Sequence, residues 1–142
     1  MFKNKLFCTF YLDKHYFGVE ASKVQEIIRY QVMSRVPLAN GVVQGLINIR
    51  GQIVTALDLA KRLGLESKKK EKKAMNVVIK TDEGAVSLMV DEIGDVIEME
   101  EENFENCPET LYGPIRELIV GTYKLKEKLL LVLDTNKVVQ VE

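Results

Sequence analysis

The sequence holds little with which to do chemistry. Its 142 residues include one histidine, two cysteines and no tryptophan. A structural zinc site takes about four Cys or His ligands; Cys8, His15 and Cys107 are too few and too scattered to supply them. The two cysteines belong to no CxxC pattern and read as reduced thiols in a cytosolic protein. No GxxxxGK[ST] or GxGxxG loop is present to cradle a phosphate. His15 has no Ser or Cys nucleophile motif beside it and reads as an exposed residue of a hairpin turn. Long apolar runs are missing too: nothing approaches the roughly twenty residues that a membrane span requires. The start, Lys3 and Lys5 before Leu6 to Leu12, is too short for a secretory signal and ends at Asp13-Lys14-His15 without a small-residue cleavage site. The expectation is a soluble, cytoplasmic protein. Nor is there an excess of one charge. Twenty basic residues face twenty-one acidic ones, for a net charge of −1, which argues against nucleic acid as the main partner. The one basic run, Lys68-Lys69-Lys70-Glu71-Lys72-Lys73, reads as a solvated loop.

What remains is globular composition, 46% hydrophobic and 29% charged, arranged as short apolar runs between turn residues. That is an all-β pattern. Leu6–Leu12 and Tyr16–Val19 flank a short turn and predict a hairpin. Ala21–Tyr30 reads as a turn followed by a strand, and Val42–Ile47 as one short helix. Arg50-Gly51-Gln52 is a tight turn before a strand, Ile53 to Leu59, apolar on both faces and so expected to be buried on both. Asp58 caps a helical turn over Leu59–Leu63, with Gly64 closing it. Residues 65–73 form a charged linker. Met75–Lys80 and Ala85–Val90 flank Thr81-Asp82-Glu83-Gly84, a second hairpin in which Gly84 supplies positive φ. Asp91–Met99 is a further strand or bend, Glu98–Pro108 an irregular acidic loop. Leu118–Leu125 and Leu129–Leu133 form a last hairpin, and Asp134–Val141 a short helix or tail.

A faint repeat links the two ends of the chain. A shift of 76 residues sets Gly45 on Gly121, Val54 on Leu130, Ala56-Leu57-Asp58 on Val132-Leu133-Asp134, and Lys61 on Lys137. More loosely, Val19-Glu20 falls on Val90-Asp91. Either chance similarity between hairpins or two β lobes of roughly 65 residues, each leaning on the other, accounts for it. Val24, Ile27, Ile28, Val32 and Val36, beside Glu26, Arg29 and Arg35, have the anatomy of an apolar interface with a charged rim.

Four segments resemble one family in order. Gly45-Leu46-Ile47-Asn48-Ile49-Arg50-Gly51-Gln52-Ile53-Val54-Thr55-Ala56-Leu57-Asp58-Leu59 is similar to the signature of the CheW-like domain family, a G-x-x-N-L-R-G turn before a strand ending in an acidic residue and leucine. Phe17 to Ile27 resembles its G-[I/V]-x-x-x-x-V-x-E-[I/V] segment, Leu88 to Val96 its V-D-x-V-x-x-V segment, and Ile119-Val120-Gly121 with Leu129–Asp134 its closing hairpin.

The resemblance implies one CheW-like domain over residues 1–142. It would be built as two five-stranded, SH3-like β-barrel lobes packed side by side, with short helices, the lobes not strictly sequential. It implies a non-catalytic adaptor of a two-component chemotaxis system, without cofactor or metal. Such an adaptor couples the regulatory domain of the histidine kinase CheA to the cytoplasmic tip of chemoreceptors. The protein would be cytoplasmic and recruited to membrane receptor arrays without inserting itself. Carried over by motif, Val24, Ile27 and Ile93 line a receptor-binding groove, with Arg50 and Glu26 on its rim. The kinase-facing surface is placed on a strand Val32 to Val36, with Val32, Ser34 and Val36 as contacts. Thr55 stands where the family often has proline, and the chain ends at Glu142 where many relatives continue into a longer helix. Acidic residues also cluster at Asp91-Glu92, Asp95 and Glu98 to Glu102, and most read as solvated; two other readings stay open, a small metal-dependent enzyme using Asp58 and Asp134 or this acidic cluster, and a nucleic-acid-binding barrel.

Overall fold

The computed structural model describes residues 3–36, 41–65, 74–82 and 84–141. Its elements, in order, are β1 (Asn4–Leu12), β2 (His15–Glu20), a 3₁₀ turn (Ala21–Lys23), β3 (Val24–Arg29), β4 (Val43–Ile49), β5 (Gln52–Asp58) and α1 (Leu59–Arg62). There follow β6 (Met75–Thr81), β7 (Gly84–Val90), β8 (Glu92–Glu100), a 3₁₀ turn (Glu101–Asn103), α2 (Pro114–Leu118), β9 (Ile119–Lys124), β10 (Leu129–Leu133) and α3 (Thr135–Val138).

The strands make two five-stranded sheets, ordered β8-β1-β2-β10-β9 and β3-β6-β7-β5-β4. Each order is the other's with the chain halves exchanged. β1 and β2, or β6 and β7, form the hairpin at the centre; β4 and β5, or β9 and β10, join through a parallel ladder, β5 on β7 and β10 on β2. The third strand of each half, β3 or β8, leaves its own hairpin's sheet and becomes the edge of the other. Each half therefore lays two strands in one sheet and three in its neighbour.

The repeat in the sequence is this arrangement. Gly45 and Gly121 lie where the chain crosses the edge strand: Ser34 exchanges two backbone hydrogen bonds with Leu46 in β4, and Glu105 with Thr122 in β9. A Cβ at Gly45 would lie 2.9 Å from the Ser34 carbonyl oxygen, and one at Gly121 only 2.6 Å from that of Glu105. The looser match is corrected by the ladders. Gly18 faces Val132 and Ser87 faces Ala56, so Val19 corresponds to Leu88 rather than Val90.

Apolar residues from both sheets share one central core, including Phe10, Phe17 and Leu131 from one and Leu57, Ile79 and Leu88 from the other. Each sheet also packs a smaller cluster on its other face, around Phe7, Tyr123 and Leu130 or around Ile47, Val54 and Val78. The second sheet curls. Arg29 ends β3 and Ser34 already pairs with β4, a reach of at most roughly 18 Å, whereas four spacings of a flat sheet would separate those edges by about 19 Å.

Several expectations change. Val42–Ile47 is not a helix: Val43–Ile49 is β4, paired with β5. Ile53 is 61% exposed, so that strand is not buried on both faces at its start. Glu98–Glu100 continue β8 instead of opening a loop. His15 begins β2 opposite Leu12, half-buried, with Nδ1 enclosed and unbonded. Asp91 is buried and accepts the Asp13 amide at 3.0 Å. The segment Val32 to Val36 is no strand; its backbone pairs with β4 at Ser34 alone, while Met33 packs against the cluster around Ile47 and Ile49. Of the charged linker, residues 66–73 lie outside the described residues, as does Glu83 of the second hairpin turn.

Candidate docking site

The turn between β4 and β5 shapes one side of the site. Ile49 faces Gln52, leaving Arg50 and Gly51 as a two-residue loop. Both have positive φ, 53° and 84°, the requirement of a type I′ hairpin turn. Glycine accepts this freely, and Arg50 is held there by its neighbours. Asn48 Oδ1 accepts the Gly51 amide at 2.9 Å, bracing the turn from within.

That turn aims Arg50 back across the curled sheet at Glu26 on β3. Arg50 Nη1 lies 3.4 Å from Glu26 Oε2, and Nη2 lies 3.4 Å from Oε1. The guanidinium is 81% exposed and the carboxylate only 15%, so solvent screens one partner far more than the other. The two residues expected as rim companions are thus brought together.

Val24 and Ile27 on β3, and Ile93 on β8, are partly buried and pack against the central core. They occupy the edge strands of the two sheets. Val24 pairs with Ile79 and Ile93 with Phe10, and these are equivalent positions in the two halves. By the same correspondence Ile27, opposite Val77, matches Val96, opposite Cys8. Val96 is 58% exposed and was not singled out from sequence, although the last valine of V-D-x-V-x-x-V marks it.

Val32, Ser34 and Val36 stand apart from this group, at the β4 edge. Val32 is 90% exposed and Val36 38%. Asp58 and Asp134 are not drawn together. Each caps its own helical turn: Asp58 Oδ1 accepts the Lys61 amide at 3.1 Å, Asp134 Oδ1 that of Lys137 at 3.2 Å. The hydrogen bond that Lys5 donates to the Glu20 carboxylate holds its ammonium pKa above the ordinary value, and burial pushes the Cys8 thiol up. Among the described residues, no three His, Cys, Asp or Glu side chains are grouped so as to hold a metal ion, and no helix is long and apolar enough to cross a membrane.

Comparison with known proteins agrees with this architecture. The fold is similar to that of the scaffolding protein TtCheW from Thermoanaerobacter tengcongensis, with a TM-score of 0.89 over 99% of this chain and 95% of that one at 23% identity. In sequence the chain is 26% identical over 136 residues to the chemotaxis protein CheW of Klebsiella aerogenes, covering 96% of this chain and 82% of that protein. It is 29% identical over 126 residues to the chemotaxis protein CheW of Bacillus subtilis, covering 89% and 81%. The profile of the CheW-like domain matches residues 6–142, and the chain therefore belongs to the CheW-like domain family.

Proposed function

We propose that this chain is a non-catalytic chemotaxis adaptor that joins the regulatory domain of the histidine kinase CheA to the cytoplasmic tip of chemoreceptors. The observation that carries the reading is the half-buried apolar set Val24, Ile27 and Ile93 on the two edge strands, beside the Glu26–Arg50 ion pair. A helical partner needs apolar side chains to lie against and fixed charges at the rim to set its register. An exposed guanidinium meets the second need, since its fork can turn to a partner's carboxylate or carbonyl. The names of the relatives, chemotaxis and scaffolding proteins, support the same role. The kinase would take the β4 edge, where Val32 projects almost fully into solvent. The place of action would be the cytoplasm, at receptor arrays. The enzyme reading loses its carboxylate pair to the two helix caps.

The test is titration against a receptor-tip fragment and, separately, against the regulatory domain of CheA. Ile27→Asp and Ile93→Asp each place an uncompensated charge in the apolar set. Variants that keep the wild-type circular dichroism spectrum should lose at least tenfold in receptor affinity and keep their affinity for the kinase domain. Val32→Asp should show the reverse. Unchanged receptor affinity in both folded isoleucine variants would remove the site assignment.

A further inference from the structure

We infer that the molecule is two interleaved copies of one structural unit, and that a half of one chain can be traded for the matching half of a second copy. The ladders carry the argument. Four of them, β1–β2, β4–β5, β6–β7 and β9–β10, are hairpins inside a half. The other four, β1–β8, β2–β10, β3–β6 and β5–β7, each join a strand of the first half to a strand of the second. Strands β3 and β8 have ladder partners only in the opposite half. The central core likewise draws on both halves, with Phe17 and Leu57 from one and Leu88 and Leu131 from the other. Arg62 of the first half donates hydrogen bonds to the carbonyls of Lys137, Val138 and Gln140 in the second.

Neither half can complete a sheet by itself, yet nothing in these contacts requires the halves to be covalently joined. The connection runs through residues 66–73 alone. A second chain supplies the same complementary surface, so reciprocal exchange would rebuild every ladder twice and leave only the connection changed. The balance then depends on effective concentration. The connection is eight residues long, and a linker of that length sets an effective concentration on the order of a millimolar. Exchange is therefore negligible in dilute solution and substantial when chains fold together at millimolar concentration. In the exchanged dimer Val24 and Ile27 come from one chain and Ile93 from its partner, giving two composite sites per dimer. That last consequence rests on the proposed docking site, whereas the exchange rests on topology alone and is tested without kinase or receptor.

The full chain is unfolded in guanidinium and refolded at 10 μM and at 1 mM, then diluted and sized by chromatography with light scattering. With an effective concentration of about 1 mM, about 2% of chains should be dimeric after the dilute refolding and about half after the concentrated one. The dimer should keep the monomer's circular dichroism and its hydrogen-exchange protection in all eight ladders. It should persist for hours after dilution, because dissociation requires the shared core to open. Native protein concentrated to 1 mM without unfolding should remain monomeric. If chains precipitate on concentrated refolding, the comparison is made by incubating native protein at both concentrations near its melting midpoint. Monomer under every condition, a dimer that dissolves within minutes of dilution, or one with altered protection in the ladders would each overturn the inference.

Discussion

Arg50 is the residue at which stability and architecture pull apart. A non-glycine side chain at φ 53° costs roughly 1–2 kcal/mol. Its ion pair with Glu26, in which the guanidinium stays exposed to solvent, returns only about 0.2–1 kcal/mol. The balance says that this arginine is not there to hold the fold. In the proposed docking site its contribution is the direction in which the turn points it. Arg50→Gly should leave the urea midpoint unchanged or raise it, while weakening receptor binding; a clear drop in the midpoint would show that the ion pair outweighs the backbone strain. Asp58 and Asp134 show the opposite case. They are carboxylates with the look of a reactive pair that serve only to cap α1 and α3, each accepting the amide three residues on.

At the scale of elements, the tight turns were legible because their information is local. Leu12 and His15 close on Asp13-Lys14, Thr81 and Gly84 close on a turn with positive φ at Gly84, and Ile49 and Gln52 close on Arg50-Gly51. β4 was not legible. Val42, Val43, Leu46 and Ile47 recur at a helical spacing, and the strand exists because β5 lies on one side and the Ser34 segment crosses the other. Such pairing is non-local, and intrinsic preference yields to it. β8 was only half legible for a related reason: its acidic end gains its ladder from β1, more than eighty residues back along the chain. The residues proposed for docking stand in motifs, but the packing of Val24 and Ile93 on one core was not legible there. The crossing glycines allow a direct check. A Cβ at Gly121 would stand 2.1 Å from the Phe104 ring and 2.6 Å from a backbone oxygen, so the crossing segment itself must move. Gly121→Ala should lower stability by about 2–3 kcal/mol in urea unfolding, as overpacked core substitutions do. Gly45→Ala, whose nearest atoms lie at 2.9 Å, should cost less.

At the scale of the molecule, one side chain ties the halves together in addition to the strand ladders. Arg62 reaches from α1 to α3, with Nε 2.9 Å from the Val138 carbonyl and Nη2 2.8 Å and 3.1 Å from those of Lys137 and Gln140. Val138 ends α3, where a helix leaves carbonyls without intrahelical partners, and the Lys137 carbonyl accepts the Gln140 amide as well. Arg62→Ala should cost about 2–3 kcal/mol, the range of hydrogen bonds to a charged group, and speed amide exchange over residues 135–141. Arg62→Lys should recover only part of this, because an ammonium lacks the fork.

The near-symmetry of the two halves poses a problem that the ion pair answers. A molecule with two equivalent ends could be approached in two orientations related by a half-turn. Glu26 and Arg50 have their counterparts at Asp95 and Lys126, yet no contact joins those two. There Lys128 places its ammonium 4.0 Å over the Tyr16 ring instead. A visitor that reads the charged clasp finds it at one end only. The clasp thus acts as a compass needle, giving polarity to a body whose backbone is almost indifferent to direction.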